Sequence, residues 1–136
     1  MTEATSPSSA TRSVFDASAV VRALIGRDLA AQDRLQTQVA WPTHLYVEVT
    51  HVLRRLHRNN RISHARAYAA INALLAFPAD AHPVESLLRG AWNVSLARNV
   101  SVYDACYVVL AEALDAPLVT ADRRLAAATP NAVLLT

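Results

Sequence analysis

Short apolar runs separated by stretches of helical periodicity, with no hairpin signal between them, constrain this chain more than any other feature. Val14-Phe15, Val39-Ala40-Trp41-Pro42, Leu118-Val119-Thr120 and Val133-Leu134-Leu135 read as strands, and His82-Pro83-Val84 as a candidate strand end. Between them the spacing predicts helices over Ala17 to Ile25, residues 28–38, Thr43 or His44 to Arg58, Ser63 to Ala76, Glu85 to Arg98, Ser101 to Leu114 and Asp122 to Ala127. Gly26, Pro42, Asn59-Asn60 and Pro78 punctuate these segments, and Ser63 reads as an N-cap. Strands that alternate with helices build an α/β sandwich around a mainly parallel sheet, because helical connections bring successive strands back in the same direction.

With 136 residues the chain has room for one core. Residues 1–12 are polar and are expected to form a flexible tail, leaving 13–136 as the folded domain. They contain no apolar signal-peptide core, so a cytoplasmic protein is expected. The longest nearly apolar stretch, Ala67 to Phe77, is interrupted by Asn72 and falls short of the roughly 20 residues needed to span a bilayer. Cys106 is the only cysteine, which rules out an internal disulfide and a thiolate-rich zinc site. All 13 basic residues are Arg, and the only glycines are Gly26 and Gly90. A phosphate-binding P-loop needs its Lys and several glycines, and a dinucleotide fingerprint needs the glycines; both are excluded.

In an open parallel sheet, ligands bind beyond the carboxyl ends of the strands, and two acids stand there. Asp16 directly follows Val14-Phe15, and Asp122 follows Leu118-Val119-Thr120 after one residue. Each also precedes a helix, so each reads equally as an N-cap. Glu48 is different. It lies three residues after Leu45 and four before Val52, within the helical stripe of Leu45, Val49, Val52 and Leu56. An acid on an apolar stripe with no basic partner, Arg54 and Arg55 projecting elsewhere, points to function. Asp104 follows Ser101 by three, as in a capping box, and lies at the edge of the apolar face of Tyr103, Cys106, Tyr107, Leu110 and Leu114. Taken alone it is a cap or a ligand.

Brought together, these four carboxylates would repel one another and call for a cation. Hard oxygen donors suit Mg²⁺ or Mn²⁺, which can activate water against a phosphodiester without a covalent nucleophile. With four of the 11 acids so occupied, seven would stand against 13 Arg, and the remaining surface would be net positive despite a formal charge of only +2. Arg54, Arg55, Arg58, Arg61 and Arg66 cluster at one helix end and the next turn, and Arg123 and Arg124 follow Asp122. Such patches hold phosphate backbones; they also suit a solvated helix end.

Four segments, in order and spacing, resemble the acidic motifs of PIN domains, and of VapC toxins in particular. They are Val14-Phe15-Asp16-Ala17-Ser18, Glu48-Val49-Thr50-His51-Val52-Leu53-Arg54-Arg55, Val102-Tyr103-Asp104-Ala105-Cys106-Tyr107 and Leu118-Val119-Thr120-Ala121-Asp122-Arg123-Arg124-Leu125. The resemblance implies a three-layer α/β/α sandwich and a Mg²⁺- or Mn²⁺-dependent endoribonuclease with Asp16, Glu48, Asp104 and Asp122 as metal ligands. It further implies that Ser18 and Thr120 help order the acids. A homodimer and a small VapB-like antitoxin, whose C-terminal segment covers the active site and in many pairs offers an Arg to the acids, are expected as partners beside the RNA substrate.

The remaining candidates are weaker. His44 and His51, seven apart, share a helix face without a third ligand at a familiar spacing. Cys106 reads as a small core residue, and Trp41 and Trp92 as core or dimer-interface aromatics. Two rival readings stand beside the active nuclease. One is a PIN-like module that binds RNA or protein with little or no cleavage; the other is an unrelated α/β protein whose acids are caps.

Overall fold

The computed structural model describes residues 12–136, so the expected tail lies outside the described residues except for Arg12. Five short strands, β1 (Ser13–Phe15), β2 (Val39–Pro42), β3 (Asp80–His82), β4 (Leu118–Thr120) and β5 (Ala132–Leu134), form one sheet in the order β3-β2-β1-β4-β5. All four pairings are parallel. The helices are α1 (Ala17–Leu24), α2 (Leu29–Arg34), α3 (Leu45–Arg58), α4 (His64–Ala76), α5 (Leu88–Arg98), α6 (Val102–Ala113) and α7 (Arg123–Ala127). Helix α1 lies on β1 and β4 and packs with α3 and α4, while α6 lies on β1, β2 and β4 and carries α5. This is the three-layer α/β/α sandwich, with a sheet that is parallel throughout.

Because both faces of the sheet are covered, its central strands are apolar at successive positions rather than at alternate ones. Val14, Phe15, Leu118 and Val119 are all fully buried. Helix α6 sits between the sheet and α5, so residues 105–108, Leu110 and Ala111 are buried around most of its circumference. Gly90 permits that close approach: a Cβ there would stand 3.0 Å from Val109 Cγ1. Helix α3 instead has one wet side, and only Leu45, Val49 and Leu53 are buried. It ends at Asn59, followed by Asn60 in the left-handed region at φ 59°, a conformation Asn tolerates. Ser63 caps α4 as the sequence suggests, its hydroxyl accepting from Arg66 N at 3.1 Å. Among the described residues no helix is long and apolar enough to cross a membrane.

Three boundaries differ from the sequence reading. The polar helix expected over 28–38 stops at Arg34, where the Thr37 hydroxyl donates to the Arg34 carbonyl at 2.7 Å and ends the turn. The third strand precedes Pro83 rather than containing it. Pro83 has no N–H for the ladder, and Val84–Leu87 winds into a 3₁₀ turn anchored by Val84 N donating to Thr43 Oγ1 at 3.0 Å. The last strand ends at Leu134, one residue early.

The chain runs β1, β2, β3 to one edge, then returns to lay β4 and β5 on the other side of β1. Strand order therefore reverses between β1 and β4, and the crevice beyond their carboxyl ends is where such a sheet receives a ligand.

Candidate active site

Asp16 and Asp122 flank that crevice, and both are also helix caps. Asp16 Oδ1 accepts from Ala19 N at 2.9 Å at the start of α1, and Asp122 Oδ1 accepts from Arg124 N at 2.9 Å and Leu125 N at 3.3 Å at the start of α7. Capping and site placement are compatible because a cap engages one carboxylate oxygen. The Asp16 amide donates to the Val119 carbonyl at 3.2 Å, which ties the two strand ends together.

Two hydroxyls complete the link. Thr120 Oγ1 donates to Asp16 Oδ2 at 2.5 Å and accepts from Asp122 N at 3.0 Å, while Ser18 Oγ donates to Asp16 Oδ1 at 2.7 Å and accepts from Ala121 N at 2.9 Å. Each hydroxyl passes a hydrogen bond from the β4–α7 turn to the carboxylate at the end of β1. Asp16 is only 4% exposed, so its polar atoms depend on these donors.

Glu48 arrives from α3 and Asp104 from the first turn of α6, whose N-cap Ser101 accepts from Asp104 N at 3.0 Å. Glu48 sits at the edge of the buried stripe rather than within it: Leu53, not Val52, continues the core, and the Glu48 side chain is 29% exposed. Its partner is Tyr107 of α6, whose hydroxyl donates to Glu48 Oε1 at 2.6 Å. His44 stands beside the same oxygen at 3.6 Å, with its Nε2 at 3.0 Å from the Tyr103 carbonyl, so that nitrogen carries the proton.

All four carboxylates line one open cleft of about 590 Å³, together with Ser18, Val47, His51, Val52, Arg55, Tyr103 and Tyr107. Their charges are felt mutually. Burial pushes the Asp16 carboxyl up from 3.8 to about 6 against the lowering effect of its hydrogen bonds from Thr120, Ser18 and Ala19, and the charge of Asp104 adds to the rise. Asp104 is raised by burial and then by Asp122 and Glu48. The Tyr107 hydroxyl is held in its protonated form, first by burial and then by the neighbouring Glu48. Among the described residues no three His, Cys, Asp or Glu side chains already converge on a single coordination point. The acids face a shared space without closing on it, as mutual repulsion requires.

Of the five arginines picked out for RNA, Arg55 alone lines this cleft. It corrects the expectation that Arg55 projects away from Glu48: seven residues apart on a helix, the two share a face. Arg54 borders a separate groove between α3 and α4 with His57, His64 and Tyr68; Arg58, Arg123 and Arg124 are exposed. Trp41 is buried in the core, whereas Trp92 is 61% exposed. Sequence reasoning missed Tyr107 as a polar member of the site. The available signal was its position one turn after Asp104, on the same face.

Comparison with known proteins bears on the family and the fold. The PIN domain family matches residues 13–129. Ribonuclease VapC1 of Mycobacterium tuberculosis is 42% identical over 120 residues, covering 85% of this chain and 89% of that protein. Ribonuclease VapC3 of the same species is 39% identical over 88% of each. Among solved structures, PAE2754 from Pyrobaculum aerophilum superposes with a TM-score of 0.71 at 23% identity, covering 91% of this chain and 89% of that one. VapBC2 from Rickettsia felis, bound to a DNA fragment from their promoter, gives 0.66 at 12% identity, covering 90% and 96%.

Proposed function

This chain belongs to the PIN-domain family, in its VapC branch, and from that premise we propose that it is a Mg²⁺- or Mn²⁺-dependent endoribonuclease that hydrolyses RNA phosphodiester bonds, the toxin of a pair completed by a VapB-like antitoxin. The observation that carries this reading is the meeting of Asp16, Glu48, Asp104 and Asp122 in one cleft at the point where strand order reverses. The 42%-identical relative is named a ribonuclease, which supports the same reaction.

The donor set fits a hard divalent ion. It is all carboxylate, its members raise one another's proton affinity, and among the described residues Glu48 and Asp122 each have one oxygen free of the hydrogen bonds that fix the other. Such an ion would supply activation of water and neutralisation of charge on the phosphate. Asp16, Glu48, Asp104 and Asp122 would hold it, and Ser18 and Thr120 would keep Asp16 oriented. Arg55 provides positive charge at the wall of the cleft, where it can pair with a phosphate oxygen of the bound strand. We assign outer phosphate contacts to Arg54, Arg58, Arg123 and Arg124. For the homodimer, α5 offers an exposed apolar row of Leu88, Trp92 and Leu96, spaced one helical turn apart. The acidic cleft suits an Arg from the C-terminal segment of an antitoxin, and the setting is the cytoplasm.

Purified protein incubated with total bacterial RNA is expected to cut it in Mg²⁺ or Mn²⁺, to stop in EDTA and to resume when excess Mn²⁺ is returned. Cutting that persists in EDTA would overturn the metal dependence, and no cutting by a folded protein would overturn the nuclease reading. Arg55→Ala is expected to weaken RNA binding and to lower the slope of log affinity against log salt by about one, the loss of one phosphate contact. Arg34→Ala, an exposed arginine outside the cleft and outside the assigned contacts, should change neither. Equal effects, read by filter binding over a salt series, would remove Arg55 from its assigned place.

A further inference from the structure

We propose that Tyr107, backed by His44, is a positioning residue for Glu48: it holds one carboxylate oxygen so that the other is presented to the cleft. The inference rests on the assignment of Glu48 as an ion ligand made above. A glutamate at the wet edge of a helix has three rotatable bonds and loses rotamer freedom when it is fixed. Something must hold it if it is to present a ligand oxygen at one place. Tyr107 does so across 59 positions of sequence, with a short O–H···O⁻ contact of 2.6 Å to Glu48 Oε1. The tyrosine is itself buried, 1% exposed within α6.

His44 supports the pair from the N-cap position of the glutamate's own helix. Its ring packs on Tyr107 with centroids 4.7 Å apart, and its Nε2 is pinned by the Tyr103 carbonyl at 3.0 Å. The same Nε2 lies 3.6 Å from Glu48 Oε1, so both neighbours address one oxygen and neither addresses Oε2. A buried tyrosine also needs a partner for its hydroxyl simply to be stable. A purely structural contact would change folding stability when removed, and would leave the affinity of the cleft for an ion where it was.

The test is a double-mutant cycle on Mn²⁺ affinity, measured by calorimetry on the full chain and accompanied by cleavage rates. Tyr107→Phe keeps the ring and deletes only the hydroxyl. It is expected to weaken Mn²⁺ binding about 10-fold or more, the usual effect of losing a partner that orients a ligand. In a Glu48→Gln background the same substitution should add almost nothing, because there is no longer a carboxylate for it to hold. Unchanged Mn²⁺ affinity in folded Tyr107→Phe, or an equal loss in both backgrounds, overturns the positioning role while leaving the nuclease reading intact. A wild type that binds no Mn²⁺ overturns that reading, and this inference with it.

Discussion

Asp16→Asn is expected to lower kcat/KM for RNA by about 100-fold or more and, in metal-free buffer at neutral pH, to make the protein more stable. Both effects come from the same burial. The Asp16 carboxyl is raised from 3.8 to about 6 in the folded chain. A raised carboxyl means that the folded state holds its proton more tightly than the unfolded state does. Stability is therefore greatest below about pH 4, declines as pH rises through the interval from 4 to 6, and stays at the lower level above it. At about 1.4 kcal/mol per pH unit, the full cost of ionised Asp16 is about 3 kcal/mol. Asparagine removes the charge and still caps a helix well, though it returns part of the gain because its Nδ2 cannot accept from Thr120. A gain of about 1–2 kcal/mol at pH 7.5, vanishing at pH 4, is the expected signature in urea titrations with EDTA. If Asp16 were a cap and nothing more, the stability change, which comes from burial, would remain, and cleavage would be nearly unchanged.

Thr120→Val is expected to cost about 2–3 kcal/mol and at least about tenfold in cleavage, although the two side chains have almost the same shape. Thr120 is fully buried, and its one hydroxyl serves both Asp16 Oδ2 and the Asp122 amide. A methyl group leaves a carboxylate oxygen short of a donor and an amide short of an acceptor, each a penalty of about 1–3 kcal/mol when water cannot reach it. The loss should be largest above pH 6, where Asp16 is ionised and depends most on the donor. Thr120→Ser keeps the hydroxyl and should recover most of the activity while remaining somewhat less stable for want of a methyl group. Thr120→Val with wild-type cleavage would show that the hydroxyl link does not order the acids.

Most of this architecture is legible in the sequence because the physics behind it is local. Strands such as Leu118–Thr120 are short apolar runs, and helices such as those opened by Asp122 and Ser101 start at residues whose side chains satisfy the first free amides. Grouping the four acids rests on the resemblance of their motifs, since Asp16, Asp104 and Asp122 each read singly as a cap and nothing local pairs β1 with β4. What could not be read depends on partners far away in the chain. Tyr107 looks like core from its neighbours, and the oxygen it serves belongs to Glu48 on another helix. Arg55 shares a face with Glu48 because the two are seven residues apart on one helix, and both line the cleft. The third strand stops at His82 because Pro83 has no amide to offer the ladder.

The pairing of β1 with β4 has a consequence in time. The first strand is made well before its central neighbour, and the hydroxyl link between them joins residues 104 positions apart. A nascent chain that has already produced Asp16, Glu48 and Asp104 still lacks Asp122 and the strand that seals its core. On the nuclease reading, a ribosome making this protein is not exposed to a finished cutting site until the segment carrying Thr120 and Asp122 has emerged, and a message broken before Thr120 yields an inert product.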